Sequence, residues 1–215
     1  MKVFSVVGIT ESGKTTTIEN IIKELRKRGY SVGSVKEIHF EQFAIDTEGS
    51  NTYRHKQAGS QLVTARGYYE TDILFQEKLK VDEILKFYDH DFVILEGIAD
   101  ENVPKIITAH NEKEVLERLD DMVFAISGRL SNTLDEFENL PVINTMDNVE
   151  RLVDLIEEKV LDRLPSKPKV QLKIDGKDID MVPFVENILS NAVLGVVKEL
   201  EGYEEGKEIM VRIRE

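Results

Sequence analysis

Gly8-Ile9-Thr10-Glu11-Ser12-Gly13-Lys14-Thr15 constrains this chain more than any other segment. It fits the spacing G-x-x-x-x-G-K-[ST], for which a chance match in a chain of this length is below about 1%. An apolar run at 2–7 precedes it. The stretch 15–28 follows, with Ile18, Ile21, Ile22 and Leu25 on one helical face and Gly29 as a natural terminator. A strand that turns through glycines into a helix aims backbone N–H groups and the helix dipole at one point. Phosphate oxygens are the ligand such a point suits. The loop therefore predicts a nucleoside triphosphate site in which Gly8, Thr10, Glu11, Ser12, Gly13, Lys14, Thr15 and Thr16 form the cradle. Lys14 reaches the β- and γ-phosphates, and Thr15 holds Mg²⁺.

The rest of the chain repeats the same alternation. Strands are expected at 31–36, 60–66, 71–76, 92–95, 122–126 and 141–143, and helices at 50–58, 81–88, 112–119 and 147–163. The last of these carries Val149, Leu152, Val153, Ile156 and Val160 as its buried stripe, with Asp147 and Glu150 spaced as a capping box. Runs such as Phe92-Val93-Ile94-Leu95 are apolar throughout, as strands buried on both faces are, so a mostly parallel α/β sheet is expected. The first domain spans 1–164. Pro165 and Pro168 then mark a linker, and 169–215 reads as a small ββαβ module. In it Asp175-Gly176 turns a hairpin that sets Leu172 opposite Ile179 and Val170 opposite Met181. A helix from 184 to 200 and a strand at 209–213 complete it.

Composition narrows the function. The chain has 215 residues, 41 acidic against 28 basic, for a net charge of −13, which disfavours binding to a nucleic-acid backbone. The apolar stretches at 122–126 and 192–197 fall far short of the ~20 residues of a membrane span, and the first residues read as a strand, not a leader. With zero cysteines neither a disulfide framework nor a thiolate metal site is available, and a cytoplasmic protein is expected.

Glu96-Gly97 ends the strand at 92–95, where a carboxylate lies beside the phosphate loop in proteins of this build. Glu96 is read as a direct Mg²⁺ ligand, a contact through water, or a group that activates the attacking water. The plainer reading is a surface glutamate after a buried strand. Residues 38–59 form a polar connection near the phosphate site, a place where lids and switches occur. Arg54 there suits the γ-phosphate or an anionic second ligand, and His39, Asp46 and His55 suit a phosphate or a metal. Solvation or capping is the alternative for either histidine. Asn144-Thr145-Met146-Asp147 is similar to the guanine motif N-K-x-D with Thr in place of Lys. Asn144 would meet a ring acceptor and Asp147 the N1 and N2 protons, although Asp147 is equally a helix cap.

These segments together resemble one family. The phosphate loop with Lys14-Thr15-Thr16 comes first. Val35-Lys36, His39, Asp46, Gly49-Ser50, Tyr53-Arg54-His55 and Ala58-Gly59 follow, then Leu95-Glu96-Gly97 and Pro104-Lys105-Ile106. Over residues 1 to about 163 the chain resembles the molybdopterin-guanine dinucleotide biosynthesis protein B (MobB) family. Glu37, Phe40, Ala44 and Asn51-Thr52 depart from that family's pattern, and the part after Pro168 looks like an extension found in some members. The resemblance implies a three-layer P-loop NTPase fold and a GTP-binding protein with weak GTPase activity. It also implies that the protein assists attachment of GMP to molybdopterin beside a molybdopterin guanylyltransferase; a homodimer is expected. Lys14, Arg54 and Glu96 are the residues expected to carry catalysis, and Thr15 and Glu96 the metal.

Two readings from other classes compete. The run Val93-Ile94-Leu95-Glu96-Gly97 also resembles a nucleoside-kinase strand, with Arg118 or Arg129 as candidates for a lid over the transferred phosphate of a small metabolite. A metallochaperone GTPase should show a Cys/His motif, which zero cysteines and four histidines argue against.

Overall fold

The computed structural model describes residues 1–40, 43–160, 172–174, 176–179, 181–203 and 209–211. Two compact units make up the chain, Val3–Leu161 and Asp162–Glu215 with Met1–Lys2.

In the larger unit, β1 (Lys2–Gly8), β2 (Val32–Lys36), β5 (Phe92–Glu96), β6 (Lys105–Thr108) and β7 (Val123–Ser127) form a sheet in the order β2-β5-β1-β6-β7. β2 pairs with β5, β1 with β6 and β6 with β7, all in parallel. The phosphate-loop strand is thus central, and the strand that ends in Glu96 is its neighbour. From β1 the chain proceeds toward one edge and from β6 toward the other, so the C-terminal ends of these two strands bracket a switch point, where α/β sheets bind ligands.

One face of the sheet is covered by α1 (Lys14–Lys27) and α5 (Val149–Lys159). Ile18, Ile21 and Leu25 meet Leu152, Val153 and Ile156 over Phe4, Val6, Ile94 and Ile106. Arg28 then ties the two helices, its guanidinium lying 2.7 Å from Asp154 and 2.6 Å from Glu157 while also holding Glu24. Gly29 stops α1 at φ +92°, and the N–H of Tyr30 returns to the Leu25 carbonyl at 3.1 Å, the double-bonded ending that a left-handed glycine permits. On the opposite face Val7, Ile107, Ile126 and Val142 pack with Val115 of α4 (Glu112–Leu116) and with Leu130 of a 3₁₀ turn over Gly128–Asn132. A mostly parallel sheet between helices is the α/β, P-loop NTPase-like fold expected from the sequence.

Between β2 and β5 the chain makes an excursion: α2 (Asn51–Gln57), the antiparallel pair β3 (Leu62–Arg66) and β4 (Thr71–Phe75), and α3 (Val81–Leu85). β3 and β4 form their own two-stranded sheet and do not join the central one. The segment expected as a strand at 141–143 is also different. β8 (Glu136–Phe137) and β9 (Leu140–Pro141) form a small hairpin, with Glu138 and Asn139 both at positive φ, and Val142 alone bridges to Ile126. Pro141 has no N–H to give a ladder, which limits the pairing there.

In the smaller unit β10 (Leu172–Ile174) and β11 (Lys177–Ile179) pair antiparallel with Leu172 opposite Ile179, and Gly176 turns at φ +78°. Helix α6 runs Pro183–Val197. Residues 209–211 are in no strand, so the expected last strand is not formed over them, and the rest of that expectation lies outside the described residues. So do Val170 and the two linker prolines.

Candidate functional site

The phosphate loop is held open by three unusual backbone positions. Gly8 lies where a Cβ would come 2.2 Å from the Thr108 carbonyl, so only glycine lets β6 approach this closely. Glu11 takes φ +61° without being glycine, and Gly13 takes +104° directly before the helix. Ser12 is buried beneath the loop. Its hydroxyl donates to the Ile9 carbonyl at 2.8 Å and shares a 2.7 Å bond with Thr108 Oγ1, so this side chain shapes the loop from below. No side chain caps the start of α1, which leaves its first N–H groups directed at the loop's hollow.

That hollow belongs to a cleft of about 950 Å³. Of the residues singled out by sequence, Gly8, Thr10, Glu11, Gly13, Lys14, Thr15, Thr16, His39, Glu96 and Asn144 line it. The Lys14 ammonium donates to the carbonyls of Gly8, at 2.8 Å, and Ile9. Its pKa is below the usual lysine value, chiefly through burial, with Lys36 and Arg118 adding to the effect and Glu96 opposing it. Glu96 Oε1 accepts from the Thr15 hydroxyl at 3.1 Å and from the Lys36 ammonium. A hydroxyl and a carboxylate oxygen this close are the hard donors a divalent cation such as Mg²⁺ takes from protein when phosphates and water complete its shell.

Asp46, Arg54, His55 and Asp147 do not line the cleft. Asp46 accepts from Ser50 Oγ at 2.7 Å and Thr52 Oγ1 at 2.8 Å, bonds that hold its pKa below the ordinary aspartate range, while Ser50 caps α2 through the Tyr53 N–H. Arg54 and His55 are exposed on α2. Asp147 lines a smaller recess that adjoins the cleft at Asn144. The expected Asp147/Glu150 capping box is not formed, since α5 begins after Asn148 without a side-chain cap. Asn144 instead organises this turn. Its Oδ1 accepts the Met146 N–H at 2.9 Å and its Nδ2 donates to Asn132 Oδ1 at 3.0 Å.

Sequence reasoning assigned no role to several residues that the fold brings to the cleft. Lys36 and Glu37 arrive from the end of β2, Gly128 and Asn132 from the turn after β7, and Met146 from the loop after Ile143. Gly128 sits against the phosphate loop itself, a Cβ there falling 2.2 Å from the Ser12 carbonyl, and that carbonyl accepts the Arg129 N–H at 3.1 Å. Arg129 lines the cleft, whereas Arg118 does not, and its guanidinium is bonded to the Glu114 carbonyl. The one legible signal was the glycine at 128 following a buried strand.

The family described as Molybdopterin guanine dinucleotide synthesis protein B matches residues 3–128, more than half of the chain, from the phosphate-loop strand through the turn that abuts it. The chain belongs to the MobB family. A putative molybdopterin-guanine dinucleotide biosynthesis adapter protein of Methanocaldococcus jannaschii is 28% identical over 234 residues, covering 99% of this chain and 97% of the relative. The probable adapter protein of Bacillus subtilis is 30% identical over 152 residues, 68% of this chain and 87% of its own. The crystal structure of Bacillus subtilis MobB superposes with a TM-score of 0.63 at 23% identity, over 76% of this chain and 100% of that one, a likeness of fold. Similarity to the M. jannaschii relative therefore continues beyond the stretch shared with the shorter B. subtilis protein.

Proposed function

We propose that this MobB-family chain is a GTP-binding adapter in molybdenum-cofactor biosynthesis, with weak GTPase activity, that assists conversion of molybdopterin to its guanine dinucleotide. One observation carries the nucleotide reading. Lys14 and Thr15 stand at the mouth of a strand-to-helix loop, and the Thr15 hydroxyl lies 3.1 Å from the Glu96 carboxylate on the adjacent strand. A triphosphate entering the cleft offers Lys14 oxygens more basic than the loop carbonyls it now meets. Thr15 and Glu96 would hold Mg²⁺, which supplies charge neutralisation across the β- and γ-phosphates. Glu96 also positions Lys36 toward the same end of the cleft. His39 lines the cleft beside it and serves as a further phosphate contact. Asp46 holds the connection in shape, and Arg54 and His55, exposed on α2, serve an anionic second ligand such as molybdopterin.

The adapter role follows the relatives, which carry that word in their names. In it a molybdopterin guanylyltransferase is the partner, the chain acts as a homodimer, and the setting is the cytoplasm. No helix among the described residues is long and apolar enough to cross a membrane. Equilibrium binding of GTP and ATP to the full chain with Mg²⁺, with and without molybdopterin, tests the reading. Preferential GTP binding strengthened by molybdopterin is expected, and equal or absent binding of both nucleotides overturns it. Arg129 in the cleft is the feature that favours the alternative, a P-loop kinase for a small metabolite. Turnover above ~10 s⁻¹ by the isolated protein would select that reading over a slow GTPase.

A further inference from the structure

Lys36 and Glu96 are register partners across β2, the edge strand, and its neighbour β5. Each is the last residue of its strand, and both line the cleft. The Lys36 ammonium donates to Glu96 Oε1, the same oxygen that accepts the Thr15 hydroxyl at 3.1 Å. The lysine side chain is 58% exposed and the glutamate side chain 12%, so the ammonium covers the solvent side of a carboxylate that is otherwise enclosed. Glu37, next in the chain, is taken by Lys78 and does not compete for Lys36. The charge of Lys36 also reaches the phosphate-loop lysine, since it helps to lower the Lys14 pKa.

The pair is not needed to hold the edge strand. β2 has its ladder to β5, the Glu37 N–H continues it to the Glu96 carbonyl at 2.9 Å, and the Tyr88 hydroxyl donates to the Ser34 carbonyl at 2.7 Å. An ion pair with one partner more than half exposed adds little to such a strand. Its place has another meaning. Thr15 and Glu96 are the donors suited to Mg²⁺, so the Lys36 charge stands where that of the cation would be needed. An ammonium and a divalent cation cannot both approach one carboxylate oxygen without strong mutual repulsion. Lysine can yield, because its charge rides on a flexible four-carbon stem. A terminal phosphate beside Thr15 then offers Lys36 a charge-assisted acceptor, which a diphosphate does not.

Resting on the nucleotide reading above, we infer that Lys36 senses the terminal phosphate: it keeps the cation's place on Glu96 while no triphosphate is bound, and transfers to the terminal phosphate when triphosphate and Mg²⁺ enter together. In the first state Lys36 neutralises a carboxylate that would repel an incoming phosphate. In the second its ammonium donates to the terminal oxygens, and Glu96 is left to the cation and Thr15. The exchange happens where β2 ends and the polar connection to α2 begins, so the contact made by Lys36 differs between triphosphate and diphosphate at the root of that segment.

The test compares the full native chain with Lys36→Met, which keeps the stem and drops the charge, and Lys36→Arg, which keeps a cation. The side chain is largely exposed, and a circular dichroism melt confirms that each variant folds. In the first arm Mn²⁺ is titrated into the nucleotide-free protein and followed by electron paramagnetic resonance. Lys36→Met is expected to bind Mn²⁺ about fivefold or more tightly than the native chain, because Glu96 is vacated. In the second arm calorimetry with Mg²⁺ compares a nonhydrolysable GTP analogue with GDP. Lys36→Met is expected to lose about tenfold or more for the analogue while GDP stays within about twofold, and Lys36→Arg to keep most of the preference. A native Mn²⁺ affinity or a native analogue-to-GDP ratio in Lys36→Met overturns the inference and leaves the pair a cross-strand tie. Lys14→Ala, run in parallel, separates the two levels. If it binds the analogue normally the nucleotide reading itself fails, and if it loses both nucleotides while Lys36→Met behaves as native, the inference about Lys36 falls alone.

Discussion

Lys14 serves the cleft and not the core, so its removal separates binding from folding. Lys14→Ala should lower triphosphate affinity by about 2–5 kcal/mol, the scale for deleting one partner of a desolvated charged contact, with an unaltered circular dichroism spectrum. A labelled-nucleotide titration reads this, and native affinity in a folded variant would end the phosphate-loop assignment. In the proposed function Glu96 acts differently, through Thr15 and a cation. Glu96→Gln keeps its size and its capacity to accept a hydrogen bond, yet removes the charge. Its GTP affinity in Mg²⁺ should then fall to the native value measured with EDTA, and a persistent Mg²⁺ enhancement would place the cation elsewhere. Gly128 is a backbone residue in the same sense. A methyl group there meets the Ser12 carbonyl at 2.2 Å, at φ +82°, so Gly128→Ala should cost at least about 2 kcal/mol of stability and weaken nucleotide binding together. Urea melts and titration of one sample decide it, and loss of neither would mean that the turn is not part of the loop's support.

β6 shows what an element hides when its first residue is charged. Lys105 is 7% exposed, yet it opens a fully buried strand because its ammonium reaches Asp120 Oδ2 at 2.6 Å. The segment read as a family feature and not as a strand, since four residues led by lysine carry no period-two signal. For Asp120 burial pushes the pKa up. The bond from Lys105 and the N–H groups of Met122 and Val123 outweigh it and leave the carboxyl below its usual value. A depressed folded pKa contributes stability above the unfolded value of about 3.9, and that stability is lost as pH falls through the folded value. Asp120→Asn should therefore be less stable than the native chain at pH 7, with the gap narrowing below about pH 4. A gap that stays constant across that range in urea melts would remove the ion pair from β6. Elements with a strong local signal were legible by contrast. In α1 the stripe of Ile18, Ile21 and Leu25 and the stop at Gly29 are properties of neighbours in the chain. The hairpin at 136–141 was not, for Glu138 and Asn139 take positive φ without the glycine that usually announces it.

Across the whole molecule the phosphate loop, Glu96, the cleft and its recess all belong to the unit Val3–Leu161. A chain ending at Arg163 is therefore expected to keep GTP affinity within about threefold, less than ~1 kcal/mol, while its light scattering differs from that of the full chain. Loss of binding by the folded shorter protein would bring the smaller unit into the site. What residues 8–15 determined without any fold was the local shape of a cradle suited to phosphate oxygens. A turn's backbone, a helix start and a periodic stripe are set by residues adjacent in sequence. Arg54 was named for its chemistry alone, and the fold sets it on an exposed helix outside the cleft. Lys36, Glu37 and Asn132 carried no such signal, because each is ordinary in its own segment. They meet at the site only because parallel strands in the order β2-β5-β1-β6-β7 bring five distant chain segments out at one edge of the sheet. That order arises from long-range crossovers and packing, which no window of neighbouring residues encodes.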